Sequence, residues 1–173
     1  MSLQFYKPNS KSTGTACSFW RNAEDNTFWV SLIKQDSWNS KTKTGSFSKN
    51  KDNPKKRAIV KFSDLEIAGL IDAIERNAEY SGYHGSQKQI VKFTFKPYVK
   101  DDKQLGFSFS VNREDKEDST DKQNYLIGFY YPEAMRLKIY LQTILSESYK
   151  VDYTSQKSSQ AKPSKQNADD YDF

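Results

Sequence analysis

The sequence has little of the chemistry on which enzymes and disulfide-bonded proteins depend. Its 173 residues include one cysteine, Cys17, and one histidine, His84. A single cysteine excludes an intrachain disulfide and a cysteine-based zinc site, and a lone imidazole without a serine or cysteine partner pattern argues against a nucleophilic pair. The glycine-rich loops that bind nucleotide phosphates are also missing. We therefore predict a protein that is not an enzyme and needs no cofactor.

Long hydrophobic runs are missing too. Hydrophobic residues make up 35% of the chain, and no apolar run approaches the roughly 18 residues of a membrane-spanning helix. No basic segment followed by an apolar one resembles a signal sequence, so we expect a soluble intracellular protein. Aromatic residues nevertheless reach 14%, which is too many for a disordered chain and predicts a folded domain with a real core.

Two stretches share the pattern of a short apolar strand that ends in phenylalanine and leads into a helix. They cover residues 57–76 and 124–145. At a constant offset of 67 residues they match at four positions: Phe62 with Phe129, Glu66 with Glu133, Leu70 with Leu137, and Ile74 with Leu141. A chance match between two strand–helix junctions is the alternative. We interpret the match as an internal repeat, which would fix the architecture.

Strand-like alternation precedes both stretches, at residues 15–21 and 27–35 in the first half and 89–96 and 105–111 in the second. Each half thus has three or four strands followed by one helix. This order predicts an α+β fold in which antiparallel sheets are covered by helices.

The chain is predicted to have three parts. After residue 149 the composition changes to polar residues that cannot form a core. The predicted parts are a flexible arm (1–14), a folded domain (15–149) with pseudo-repeats 15–78 and 88–147, and a disordered linker with an acidic tail (150–173).

Positive charge is concentrated in the body of the chain. Residues 151–173 hold three lysines and four aspartates, which leaves 24 basic and 18 acidic residues, or a net charge of +6, for residues 1–150. Seven basic residues lie between positions 41 and 57: Lys41, Lys43, Lys49, Lys51, Lys55, Lys56 and Arg57. Lysines on a loop between strands neutralise phosphates and give salt-sensitive affinity, whereas the alternative is a plain solvated loop.

Several aromatic residues are predicted to face away from the core. If Phe19 and Phe28 point inward, strand alternation turns Trp20 and Trp29 outward, and Trp38 and Phe47 follow nearby. Unpaired bases stack on aromatic rings of a sheet. The competing explanation is a second core on the other face of the sheet.

Two other features are interpreted as structural. The charged run at residues 113–122 lacks the glycine and the spacing of an EF-hand, so we predict a solvated loop without metal. For His84 we predict a structural or exposed position.

The chain ends in an acidic cluster closed by an aromatic residue: Asp169, Asp170, Tyr171, Asp172 and Phe173. Its carboxylates can compete for a basic groove, and Phe173 can anchor in an apolar pocket of a partner protein. A disordered tail that only improves solubility is the alternative.

This ending, behind a linker rich in Ser, Gln and Lys, resembles the C-terminal tip of bacterial and phage single-stranded-DNA-binding proteins. The resemblance implies recruitment of replication and repair proteins, and an origin in a phage or virus that would place the protein in the cytoplasm of an infected cell. The body, over residues 15–147, resembles in its architecture the PC4/Whirly group of single-stranded-DNA binders. That resemblance implies two halves whose helices cover the sheets and whose strands carry DNA.

Together these observations predict a protein that coats single-stranded DNA in replication or recombination, as a homo-oligomer. Stacking is assigned to Trp20, Trp29, Trp38 and Phe47. Affinity for the backbone is assigned to the seven basic residues at 41–57 together with Arg21, Lys92 and Lys96. An RNA-binding protein or transcription regulator of the same fold is one alternative, and an adaptor that binds only proteins is another.

Overall fold

The structure, a computed structural model, describes residues 2–118 and 120–160, with side chains as far as residue 150. The strands are β1 (Ser2–Lys7), β2 (Thr15–Asn22), β3 (Thr27–Lys34), β4 (Ser37–Asn39), β5 (Thr44–Ser46), β6 (Arg57–Phe62), β7 (Tyr80–Gly85), β8 (Gln89–Lys100), β9 (Lys103–Asp115) and β10 (Lys122–Tyr130). The helices are α1 (Asp64–Arg76) and α2 (Tyr131–Gln160), and a short 3₁₀ turn covers Ser48–Asn50.

Two four-stranded antiparallel sheets form the body. The first sheet has the order β1-β2-β3-β6 and the second has β7-β8-β9-β10. Each sheet leads directly into a helix, and α1 packs against α2. A small hairpin, β4–β5, is inserted between β3 and β6 of the first half. The predicted α+β class, with two strand-rich repeats each followed by a helix, is confirmed.

The core lies between the inner faces of the two sheets and the helices. Phe109 of β9 is fully buried, and its ring centroid lies 6.1 Å from that of Phe19 and 6.4 Å from that of Phe62, both in the first sheet. On its own sheet it contacts Phe93 and Phe95. Strand side chains alternate, so one side of each sheet faces inward. Most of the inward residues are apolar, and they meet in one cluster of buried aromatic and aliphatic side chains.

The repeat extends to individual hydrogen bonds. At the start of α1 the Ser63 amide donates to Glu66 Oε2 at 2.8 Å, as part of a capping box. Sixty-seven residues later the Tyr130 amide donates to Glu133 Oε2, also at 2.8 Å. In both copies an acidic side chain satisfies an amide that the helix leaves without a partner.

The structure corrects the prediction of a flexible arm at residues 1–14. Residues 2–7 form β1, which pairs with β2 and buries Leu3 and Phe5, and the Phe5 ring lies 4.8 Å from the Phe129 ring. Residues 80–85, which lie between the two predicted pseudo-repeats, form the edge strand β7. Each sheet therefore has four strands.

Helix α2 is longer than predicted. It continues to Gln160, past residue 150 where the linker was expected to begin. The predicted acidic tail, residues 169–173, lies outside the described residues. The other predicted domain boundaries stay predictions. Within the described ranges, neither helix is long and apolar enough to cross a membrane.

Gly106 is expected to be essential for the pairing of β9 with β10. Its φ of +148° is unfavourable for other residues, and an added Cβ would lie 2.0 Å from the Phe129 carbonyl oxygen. We expect Gly106→Ala to lower the free energy of unfolding by about 3 kcal/mol, since the clash is with backbone that cannot rotate away. Urea unfolding followed by circular dichroism measures this.

Gly128 is the matched control for that substitution. It lies on the neighbouring strand β10, where an added Cβ would find its nearest atom at 4.0 Å. Gly128→Ala should therefore leave stability within about 0.5 kcal/mol of wild type. Equal losses from both variants would contradict the backbone clash at Gly106.

Candidate nucleic-acid interface

The side of the first sheet that faces away from the core forms an ordered grid of side chains, here called the outer face. The pairing register aligns three rows across β1, β2, β3 and β6. The tryptophan row is Ser2, Trp20, Trp29 and Lys61; the serine row is Gln4, Ser18, Ser31 and Ile59; the arginine row is Tyr6, Ala16, Ile33 and Arg57. Aromatic, hydroxyl and cationic groups thus share one surface.

The tryptophan row brings two rings together. Trp20 and Trp29 lie opposite each other on β2 and β3, with ring centroids 6.4 Å apart and planes within 15° of parallel. The indole Nε1–H of Trp29 donates to Thr27 Oγ1 at 2.7 Å, and Lys61 Nζ lies 5.9 Å from the Trp29 ring centroid. Both rings are half-buried, whereas Phe19 and Phe28 beside them in sequence are buried in the core. Their binding role stays a prediction.

The insertion between β3 and β6, residues 35–56, is tied to the body by buried polar contacts. Gln35 is 5% exposed; its Oε1 accepts from the amides of Asn9 and Gly14, and its Nε2 donates to the carbonyls of Asn9 and Ser37. This one side chain joins the β1–β2 connection to the start of the β4–β5 hairpin. The insertion is therefore held at the arginine-row end of the outer face.

Asp36 fixes the other end of the hairpin. It accepts from the Ser37 and Ser46 hydroxyls and from the Lys49 amide. These hydrogen bonds, that of Ser37 above all, hold the pKa of Asp36 below its ordinary value. The carboxylate is thus occupied by local donors.

Six of the predicted basic residues remain on the exposed surface of the insertion. They are Lys41, Lys43, Lys49, Lys51, Lys55 and Lys56. Within the described part of the chain, none of their ammonium groups lies within 4.0 Å of a carboxylate. At the base of the insertion the pKa of Lys34 is lowered, mainly by burial and further by the charge of Lys56.

The seventh basic residue, Arg57, connects the insertion to the outer face. Its Nε donates to Ser31 Oγ and its Nη1 donates to the Lys51 carbonyl, each at 3.0 Å. Beneath the insertion there is a cleft of about 430 Å³. Its lining includes Tyr6, Ser18 and Phe47, together with Lys51 and Arg57.

Phe47 and Trp38 lie on different parts of the insertion. Phe47 approaches the outer face, since its ring centroid is 5.8 Å from that of Tyr6. Trp38 pairs with Gly45 within the β4–β5 hairpin and is half-buried. The structure thus brings Phe47, but not Trp38, to the cleft.

Three predicted contact residues lie elsewhere. The predicted contact of Arg21 with DNA is corrected by the structure, because its side chain is only 8% exposed. Its Nε donates to Asn26 Oδ1 at 2.7 Å, and its guanidinium lies 3.8 Å from Glu147 Oε2 on α2. It faces the core side of β2, so it cannot join the outer face. Lys92 and Lys96 lie on the outer side of the second sheet, away from the tryptophan pair.

The second sheet repeats part of the grid. The pairing register places Ser81, Thr94, Ser110 and Leu126 at the positions of the serine row, and Tyr83 at the position of Tyr6. Lys96 and Ser108 occupy the positions of Trp20 and Trp29. The two halves therefore share a hydroxyl row, but only the first carries the tryptophan pair.

His84 and the charged loop lie apart from the tryptophan pair. His84 Nε2 lies 2.7 Å from Glu66 Oε1, and its ring packs beside Phe62 and Phe93. The predicted loop at 113–122 is shorter than expected, because β9 continues to Asp115 and β10 begins at Lys122. Across residues 2–118 and 120–160, no group of three metal-ligating side chains is found.

Sequence reasoning missed several residues of the outer face. Tyr6 and Gln4 fall within the predicted arm, and Ser18, Ser31 and Ile59 are neither charged nor aromatic. The signal for Ser18 and Ser31 was available, since their strand positions have the same parity as Trp20 and Trp29.

The sheets, the two helices and their order allow comparison with known folds. The fold is similar to that of WHY1 from Arabidopsis thaliana. The TM-score is 0.63 at 12% sequence identity, with 96% of each chain covered. The plant transcriptional regulator PBF-2 gives a TM-score of 0.63 at 11% identity, covering 91% of this chain and 86% of that one. The predicted Whirly-like architecture is confirmed.

A third similar structure is that of MRP1/MRP2 from Trypanosoma brucei. Its TM-score is 0.55 at 12% identity, and the match covers 88% of this chain and 87% of that chain. No protein-family model and no curated protein sequence matches the chain. At these identities the likeness establishes the fold.

Proposed function

We propose that this chain is a non-enzymatic single-stranded-DNA-binding protein that coats unpaired strands during replication or recombination. The observation that carries the proposal is the Trp20–Trp29 pair on the outer face, which also carries an insertion with six exposed lysines. Among the described residues, no carboxylate lies within 4.0 Å of their ammonium groups. The likeness to WHY1 supports it at the level of the fold.

Base faces and phosphates would bind to different parts of this surface. A base stacked on an aromatic ring contributes about 1–3 kcal/mol whatever its sequence, and Trp20 and Trp29 offer such rings. Lysines of the insertion, with Lys61 beside Trp29, neutralise the phosphates of the same strand and release counterions. Affinity then arises without sequence readout, as strand coating requires.

The arrangement favours unpaired strands over duplex DNA. In a duplex the base faces are stacked inside the helix, and recognition in the major groove uses an inserted helix or a two-stranded ribbon. The outer face is instead a sheet surface with rings lying on it. Only a strand whose bases are free to leave the stack can use Trp20 and Trp29.

The C-terminal tail is proposed to recruit replication and recombination proteins. It carries Asp169, Asp170 and Asp172 with Tyr171 and a terminal Phe173. These carboxylates would also compete with DNA for the lysines of the insertion. A bound strand would displace the tail from these lysines. The displaced tail is then free to bind an intracellular partner protein.

A second copy of this chain is the proposed partner of the helix layer. Large apolar side chains are exposed on α1 and α2, among them Leu65 at 75%, Ile139 at 57% and Met135 at 52%. An apolar surface of this kind marks an interaction site. The proposal is a homo-oligomer that leaves the outer face free for DNA.

The proposal is tested by titrating fluorescent oligo-dT with the full chain and with a chain that ends at Gln160, over a salt series. Neutralising about five phosphates gives a log–log salt slope of about −3.5 for a single strand. We expect tight binding with such a slope, duplex binding at least about tenfold weaker, and tighter binding without residues 161–173.

One control and the outcomes of the titration separate the alternative functions. An oligo-rU of equal length that binds better than oligo-dT would favour an RNA-binding function, because only RNA offers the 2′-hydroxyl. No binding by either chain at low salt would overturn the proposal and favour the adaptor that binds only proteins. If removal of residues 161–173 leaves the affinity for oligo-dT unchanged, the proposed competition between the tail and DNA is overturned. The proposed strand binding is then unaffected.

A further inference from the structure

The cleft beneath the insertion has walls that suit a nucleobase. Its volume of about 430 Å³ falls within the range of small-molecule sites, about 300–1,000 Å³. On one side stand the rings of Tyr6 and Phe47, with centroids 5.8 Å apart and planes at 57°. Ile33 of the outer face contributes an apolar floor. Flat apolar walls of this kind accept an aromatic ring.

The cleft also has polar groups for the edge of a base. Ser31 Oγ is held in place by Arg57 Nε at 3.0 Å. Gln4 accepts from the Tyr6 hydroxyl at 2.6 Å, and its amide N–H groups, like the Ser18 hydroxyl, have no protein partner among the described residues. Donors and acceptors therefore line the same cleft as the two rings, as they do in sites that orient a ligand.

Two cations stand at the side of the cleft. Arg57 is fixed by its hydrogen bonds to Ser31 and to the Lys51 carbonyl, and the Lys51 ammonium is exposed. A guanidinium that is already oriented loses little entropy on binding a phosphate. Both residues also line a second, open hollow of about 370 Å³, whose lining further includes Arg113 of β9 and Asp52.

The cleft belongs to the same surface as the tryptophan pair. Trp29 and Ile33 are four residues apart on β3, or about 13 Å at the rise of a strand. A single strand can span this distance with roughly four nucleotides at stacked spacing, and with fewer when it is stretched. A strand stacked on Trp20 and Trp29 therefore reaches the cleft.

We propose that the cleft holds one unpaired base of a bound strand, with an adjoining phosphate on Lys51 and Arg57. From there the strand continues past Arg113 around the β6 edge of the first sheet. This inference rests on the proposed function, which it deepens by adding a pocket that selects for a base turned out of the stack. Tyr6, Gln4 and Ser18 become contact residues, and Arg113 a phosphate contact.

The test is photocrosslinking of wild-type protein to oligo-dT that carries one 5-iododeoxyuridine at each position in turn. Crosslinked peptides are identified by mass spectrometry. We expect crosslinks at Tyr6 or Phe47 from one position in the bound strand, and at Trp20 or Trp29 from positions a few nucleotides away. Because this map uses the unaltered chain, it decides the question even if a variant fails to fold.

A pair of matched variants tests the space itself. Ser18→Leu fills the cleft without adding an aromatic face, whereas Thr94→Leu makes the equivalent change on the second sheet. We expect Ser18→Leu to abolish the crosslinks at Tyr6 and Phe47 and to weaken binding about fivefold to tenfold, the loss of one stacked base. Thr94→Leu should keep both the crosslinks and the affinity.

The outcomes separate the cleft from the function as a whole. One outcome is strand binding in which crosslinks are confined to Trp20, Trp29 and Trp38 and Ser18→Leu keeps its affinity. This outcome would overturn base binding in the cleft but keep the proposed function. Absence of any strand binding would overturn both. Crosslinks at Tyr6 from 5-iodo-dUMP alone, without crosslinks from the strand, would assign the cleft to free nucleotides and overturn the inference.

Discussion

Replacing Trp20 and Trp29 together by alanine is expected to weaken binding of oligo-dT about a hundredfold. Each base stacked on an aromatic ring contributes about 1–3 kcal/mol, and the two rings lie side by side on the outer face. The salt slope should stay unchanged, because no lysine is removed. Fluorescence anisotropy over a salt series measures both quantities in one experiment.

The same double variant should remain folded. Both rings lie outside the core, and the losses are a cross-strand pair, about 0.2–1 kcal/mol, and the contact of Lys61 with Trp29, about 0.5–1 kcal/mol at an exposed site. Tyr149→Ala, which removes an exposed ring from α2, is the control and should leave binding as in wild type. A double variant that binds as tightly as wild type would show that the rings form only a second apolar cluster.

Replacing Phe109 by alanine is expected to lower the free energy of unfolding by about 3–5 kcal/mol, the usual cost of removing a buried phenylalanine. The ring is fully buried and contacts Phe19 and Phe62 across the two sheets. A domain of this kind has a total stability of only about 5–15 kcal/mol, so a large share would be lost. Equilibrium urea unfolding, with a check that the slope is unchanged, measures this.

Phe47→Ala is the matched control for the Phe109 variant. Phe47 is half-buried, and its ring contacts Tyr6 at the edge of the cleft rather than the core. Its removal should cost less than about 1 kcal/mol of stability. If both phenylalanines cost the same, the two sheets would not share the single core that the Phe109 contacts indicate.

Strong alternation made most strands predictable. In β3, Phe28, Val30 and Leu32 repeat every second residue, so sequence alone assigns the buried side. The strands that were missed, β1 and β7, lack this signal. Only Leu3 and Phe5 mark the inner side of β1, and the inner side of β7 includes Gly82, where an added Cβ would lie 2.2 Å from the Phe93 ring.

Arg21 shows where composition misled the interpretation. Its position on β2 has the same parity as Phe19, so alternation already places it on the core side. Its partner Glu147 lies on α2, more than a hundred residues later. The assignment of Arg21 to DNA conflicts with this parity, whereas its distant carboxylate partner leaves no signal in the local sequence.

Sequence patterns alone predict the α+β class, the two repeats and which side of β2 and β3 carries Trp20 and Trp29. Local periodicity encodes these properties, because each strand or helix must bury its own apolar side. Which surfaces lie together depends on the three-dimensional fold. It separated Lys92 and Lys96 from the tryptophan pair, placed the insertion over the outer face through Gln35, and formed the cleft between Tyr6, Phe47 and Arg57. These contacts join distant residues through pairing register and buried hydrogen bonds, which no local pattern records.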